Sequence, residues 1–188
     1  MANNCFYTLK AAGAKESVQE LLDIMQYKKE DTVMFARIFD AEEDDTVELA
    51  DGRVLMSISG DCAWSVYSCM FEGNGTYFNS AREANPQLSS IPIESKRLGL
   101  DIEIYSSEPG MGFAEHYRVT NGDILISDET PYSELYWNKD EYPDFASFKE
   151  DYGFSDEVTE DQFDEDGYAS LGGYDGVFEI DSLINSTT

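Results

Sequence analysis

Positive charge is what this chain has least of. Twelve Lys and Arg stand against 39 Asp and Glu in 188 residues, and a single histidine, His116, adds little. A nucleic-acid binder normally gathers basic residues into one patch that releases counterions from phosphates. Here the closest groupings are Lys28-Lys29 and Lys96-Arg97, so strong direct contact with DNA or RNA is not expected. With one imidazole, any Ser-His or Cys-His nucleophile must use His116, and no GxSxG flanks a serine. Cysteine is equally scarce: Cys5, Cys62 and Cys69 form no CxxC and no even framework, and they read as small buried apolar residues of a reducing compartment. Walker A and GxGxxG loops are missing; Gly73-Asn74-Gly75 and Gly110-Met111-Gly112 are turns. No apolar run approaches the roughly 18 residues of a membrane span, and the opening MANNCFYTLK lacks the basic and apolar regions of a secretory signal. The expectation is a soluble cytoplasmic protein with no catalytic residues, no cofactor and no dedicated metal site.

Acid is what is there. The formal net charge is −27 with a pI near 4.1, whereas a small soluble domain usually carries a magnitude of roughly 2–8. Such an excess makes the compact state repel itself and suits a polycationic partner. From Asp140 onward there are 15 acids and one basic residue, Lys149, a charge density about three times that of the first 139 residues. A solvated coil is the ordinary reading of such a run. Against it, the acids between Asp140 and Phe178 are interleaved with Tyr142, Phe145, Phe148, Tyr152, Phe154, Phe163, Tyr168, Tyr174 and Phe178, enough aromatic surface to bury. The expectation is a folded segment holding its carboxylates in fixed positions. Within it, QFDEDGYASLGG fails as an EF-hand, since position 1 falls on Gln162 and position 12 on Gly173. Weak divalent-cation association with Asp161, Asp164, Glu165 and Asp166 stays open.

Periodicity supplies the outline. Cys5 to Lys10 alternates as a strand; Val18, Leu21, Leu22 and Met25 lie at helical spacing, with Glu16 and Glu20 at the start and Lys28 and Lys29 at the end. Val33 to Phe39 reads as a second strand, followed by an acidic loop, AEEDD. Asp51-Gly52 and Asn121-Gly122 each predict a tight hairpin. Trp64 to Phe71 suits a short buried helix, Asn74 to Gln87 a loop, and Ser90-Ile91-Pro92 to Gly99 one or two helical turns. Leu100, Ile102 and Ile104 alternate with Asp101, Glu103 and Tyr105, a strand with acids on its wet face. The plan is α+β, with residues 1–139 as one domain and 140–188 as an acidic, aromatic-rich extension packed on it.

The stretch MANNCFYTLKAAGAKESVQELLDIM, the run Gly60-Asp61-Cys62-Ala63-Trp64-Ser65 and the Leu100 to Phe113 strand with Glu108-Pro109-Gly110 resemble the YubB/Api92-like family of plasmid and phage proteins. The resemblance covers about residues 1–127, and the chain departs from it at the acidic insert Glu42 to Asp45 and in the long acidic tail after Asp140. It implies a ferredoxin-like antiparallel sheet with helices packed on one face, a mobile-element origin, and no catalytic residues.

Charge and resemblance together point to imitation of nucleic acid. Acids at i and i+2 on a strand lie roughly 6.6 Å apart, and duplex DNA carries one charge per about 1.7 Å of axis, so carboxylates spread over strands and a rigid tail reach a comparable density. The expected function is an anti-CRISPR protein that obstructs DNA binding by a Cas9-type nuclease with its guide RNA, whose arginines would take the carboxylates. The expected contact array is Asp140, Glu141, Asp144, Glu150, Asp151, Asp156, Glu157, Glu160, Asp161, Asp164, Glu165 and Asp166, with Asp44 and Asp45 as a second patch. Two alternatives stay open: an acidic adaptor that binds a basic protein without competing with nucleic acid, and acidity serving hydration in a salt-rich habitat.

Overall fold

The computed structural model describes residues 3–28, 33–71, 83, 85–142, 144–152 and 158–185. The architecture is α+β. Among the described residues seven antiparallel strands lie in the order β2-β3-β1-β4-β5-β6-β7, with β1 Asn4–Gly13, β2 Ile38–Glu48, β3 Val54–Ala63, β4 Asp101–Glu108, β5 Phe113–Thr120, β6 Asp123–Tyr136 and β7 Tyr168–Gly172. Helices α1 Lys15–Met25, α2 Val66–Met70 and α3 Ile91–Leu98 contribute to the main core on one face, and α4 Phe145–Tyr152 and α5 Ser182–Asn185 belong to the C-terminal segment. No helix among the described residues is long and apolar enough to cross a membrane.

The strand β1 is central because its alternation serves two faces. Cys5, Tyr7, Leu9 and Ala11 enter the core beneath α1, where Val18, Leu21, Leu22, Ile24 and Met25 meet them. All three cysteines are buried there as free thiols; the neighbouring thiols and burial push Cys62 upward from the ordinary thiol range, which keeps it protonated and inert. Both hairpins form at the expected dipeptides. Gly52 takes φ +85°, and Asn121 and Gly122 take +49° and +90°, the paired left-handed residues of a tight turn. In α3, Pro92 occupies the first turn and Gly99 ends the helix at φ +67°. The predicted loop from Asn74 to Gln87 lies mostly outside the described residues.

Three readings of the local sequence are corrected. The helix α1 stops at Met25, so Lys28 lies beyond its last turn, 4.0 Å from Asp23. The second strand begins at Ile38, not Val33, and runs straight through Glu42 to Asp45. Those acids face solvent from an outermost strand, where charge is tolerated and blocks edge-to-edge pairing; breaks of register at Ile38/Asp40 and Glu43/Asp45 twist the edge further. Glu103, assigned to a wet face, is fully buried. The reason lies in the C-terminal segment. Residues 174–183 cross the sheet face opposite the helices, where Phe178 and Ile180 form a second core with Ala12, Leu49 and Leu55, and Tyr105 and Leu183 pack against it. Glu103 lies under that strap.

Close approach between β2 and β3 depends on one glycine. A Cβ on Gly60 would run into the backbone carbonyl of Asp40 and the hydroxyl of Tyr7, which donates to that same carbonyl at 2.7 Å. Gly60→Ala is therefore expected to lower stability by about 1–3 kcal/mol, the usual cost of overpacking. Urea unfolding checks it, and a change within about 0.5 kcal/mol would show that β2 shifts without cost.

Candidate interaction surface

The acidic segment is anchored by aromatics, as its composition predicted. The Phe148 ring is fully buried. Around it stand Tyr142 at 5.4 Å, Phe145 at 5.9 Å, Tyr152 at 4.9 Å and Phe163 at 5.6 Å between ring centroids, with Trp137 closing the cluster 5.3 Å from Phe145. The turn after Phe163 leads into β7, which pairs with the second half of β6, and the backbone N–H of Trp137 donates to the Gly167 carbonyl at 2.8 Å. β6 itself runs 14 residues, so its second half extends beyond the hairpin with β5 and is free to take β7 as a partner.

On this scaffold the predicted contact acids are displayed outward. Asp156 and Glu157 lie outside the described residues; the other twelve, Asp44 and Asp45 included, are exposed. Several also hold the local backbone. Asp144 accepts the Ser147 N–H and hydroxyl at 2.8 Å at the start of α4, Asp164 accepts the N–H groups of Asp166 and Tyr168 at 3.0 and 2.8 Å, and Asp151 accepts the Tyr142 hydroxyl at 2.6 Å. Those bonds hold Asp144 below the ordinary carboxyl range, through the Ser147 N–H first, and Asp161 is lowered by the Thr159 hydroxyl. The array is not one surface. Asp44 and Asp45 belong to β2 and the tail acids neighbour β6 and β7, at opposite edges of the sheet. Six inter-strand steps of about 4.8 Å put the edges up to roughly 29 Å apart. Among the described residues no group of three or more His, Cys, Asp or Glu side chains could hold a metal ion.

At least five of the twelve positive side chains are engaged within the domain and strap. Lys10 pairs with Asp181 at 2.6 Å, Arg53 with Asp51 at 2.8 Å and Asp101 at 3.0 Å, Arg97 with Glu94 at 2.6 Å and Glu20 at 2.7 Å, Arg118 with Glu179, and Arg37 lies 4.0 Å over the Trp64 ring. These pairs neutralise acids of the domain and strap, not the outward array.

What sequence reasoning missed is a set of buried glutamates: Glu94, Glu103, Glu108 and Glu115. Each has donors, as burial demands. Glu103 accepts the N–H groups of Glu179 at 3.2 Å and Ile180 at 2.8 Å and lies 2.9 Å from His116 Nε2. Glu115 accepts the Val66 and Tyr67 N–H groups at the start of α2 together with the hydroxyls of Ser106 and Tyr117. Among 39 acids, strand spacing offered no signal to separate these from solvated ones.

Burial outweighs the four donors to Glu115 and pushes its carboxyl up from the ordinary 4.5. The native state therefore holds that proton more tightly than the unfolded chain, and stability falls as pH rises from 4.5 through the native value. The lowered carboxyls of Asp51, Asp144 and Asp161 act oppositely, giving stability above their ordinary 3.8 that is lost as pH falls below it. Melting from about pH 3 to about pH 8 at fixed ionic strength is expected to show a maximum in mild acid, and Glu115→Gln is expected to flatten the upper limb. An upper limb unchanged in that variant would assign the slope to general charge repulsion.

The chain matches no family model, no curated protein and no solved structure.

Proposed function

We propose that this chain is an acidic, non-catalytic inhibitor that competes with nucleic acid for the basic cleft of a host defence enzyme, in the first instance a Cas9-type nuclease carrying guide RNA. The observation that carries the proposal is the C-terminal array: exposed carboxylates held on helical turns and loops that are pinned by a buried aromatic cluster. Fixed carboxylates meet arginines without the ordering cost of a loose coil, and the net charge speeds encounter. Internal pairing of Lys10, Arg53, Arg97 and Arg118 thins an already sparse and scattered set of cations, which supports a protein partner over DNA. The first four strands and their helices, taken in the order β2-β3-β1-β4 with antiparallel neighbours, support reading this part as a ferredoxin-like domain to which β5–β7 are added. A bacterial host cytoplasm and a phage or plasmid origin complete the proposal and rest on the family resemblance.

The test is capture of labelled duplex by guide-loaded nucleases and restriction enzymes in the presence of the purified chain. Inhibition that is overcome by excess duplex and fades with rising salt is the expected result. A stable complex with the enzyme that leaves duplex capture intact would replace competition by the adaptor reading.

A further inference from the structure

The sheet face opposite the helices is only partly covered by the strap. Beyond Gly176 it opens into a groove of about 560 Å³, a size that holds a large side chain and its neighbours. Phe6, more than half exposed, lies on the floor with Tyr105; Tyr132 and Tyr174 form walls; Asp40 and Asp61 stand along the β2–β3 side. Among the described residues no Lys, Arg or His lines it. The aromatic surfaces are held in place: Tyr105 stacks on His116 at 4.1 Å, meets Phe178 edge-on at 4.8 Å and stands 5.4 Å from Tyr174, while its hydroxyl donates to the Val177 carbonyl at 3.0 Å. Asp61 accepts the Asn4 amide at 2.9 Å and Asp40 the Ala41 N–H at 2.9 Å. A carboxylate offers about four lone-pair sites, so one such bond leaves each able to accept more.

We propose that this groove receives an arginine side chain from an extended segment of a basic protein, the guanidinium stacked on the aromatic floor and bridged to Asp61 and Asp40. Ring faces attract cations, and carboxylates give a guanidinium charge-assisted bonds. Arginine is favoured over lysine because its planar, weakly hydrated head both stacks and forks. The molecule already uses this chemistry on its own cations. On the same sheet face, Lys10 lies 4.6 Å over the Phe178 ring with Asp181 at 2.6 Å, and elsewhere Arg37 lies 4.0 Å over Trp64. The groove repeats the aromatic-plus-carboxylate pairing with the cation to be supplied by a partner. The inference rests on the reading of the chain as a binder of basic proteins, and it adds a site separate from the C-terminal array.

The test titrates the full-length, isotope-labelled protein with a blocked Gly-Arg-Gly peptide and follows backbone amide shifts. Saturable shifts are expected at Phe6, Asp61 and Tyr105, with the citrulline and lysine peptides weaker by about fivefold or more. Asp40→Asn/Asp61→Asn is expected to weaken arginine-peptide binding about fivefold or more, and Phe6→Ala to do the same, while Glu16→Gln/Asp123→Asn, which removes equal charge far from the groove, changes it less than about twofold. Melting curves check that each variant is folded, and Phe6, being exposed, gives a variant that keeps its core. Shifts confined to the acidic segment, equal binding of citrulline or lysine peptides, or equal loss in the distant double variant would overturn the groove assignment while leaving the decoy reading intact. Groove shifts combined with unimpaired duplex capture would overturn the decoy reading and leave the groove.

Discussion

Replacing Glu103 with alanine is expected to lower stability by about 3 kcal/mol or more and to release the strap. The carboxylate serves the N–H groups of Glu179 and Ile180 in the strap and the Nε2 of His116 beneath it. Each buried donor left unsatisfied costs about 1–3 kcal/mol, and total stability of a domain this size is about 5–15 kcal/mol. Other polar ties are weaker: Lys10 to Asp181 and Arg118 to Glu179 are partly exposed pairs, worth about 0–1 kcal/mol each. Phe178 and Ile180 would keep the strap near the sheet only while its backbone is satisfied. Urea unfolding gives the loss, and amide exchange at Glu179 and Ile180 reports release separately from global unfolding. Glu103→Gln keeps one acceptor and the volume, and its cost is expected to be about half. A loss under about 1 kcal/mol in the alanine variant would mean the strap is held by its apolar contacts alone.

The second large effect is on inhibition. Changing Asp140, Glu141, Glu150, Glu160, Glu165 and Asp166 to their amides removes six exposed charges of the array. At about 0.2–1 kcal/mol for each rim charge, the combined loss is about 1–6 kcal/mol, so half-inhibition of duplex capture is expected to move by about tenfold or more. Asp144, Asp151 and Asp164 are kept because they hold the start of α4, the Tyr142 hydroxyl and the turn before β7. The melting temperature should hold or rise, since relieving like-charge repulsion favours the compact state. Undiminished inhibition at matched salt would end the decoy model.

Local physics made much of the fold legible. A helix needs only its own spacing of Val18, Leu21, Leu22 and Met25, and a tight hairpin needs only residues able to take positive φ at Gly52 and at Asn121-Gly122. The aromatic interleaving of the acidic segment likewise announced a core around Phe148. Edge position was not legible. Glu42 to Asp45 look like a loop until the strand order makes β2 outermost, where acids are tolerated and useful. Nor was the burial of Glu103. In alternation with Ile102 and Ile104 a glutamate reads as solvated, and its partners lie 76 and 77 residues away in the strap.

The sequence by itself determined the charge, its concentration from Asp140 onward, the main helix and the hairpins, because each depends on composition or on residues within a few positions. Only the tertiary structure decided which acids are outward and which are buried, that Asp44 and Asp45 stand at the far edge from the tail array, and that a strap and an aromatic groove share one face of the sheet. A carboxylate's role follows from the donors and the solvent around it, and distant segments bring those to it only when the chain is folded.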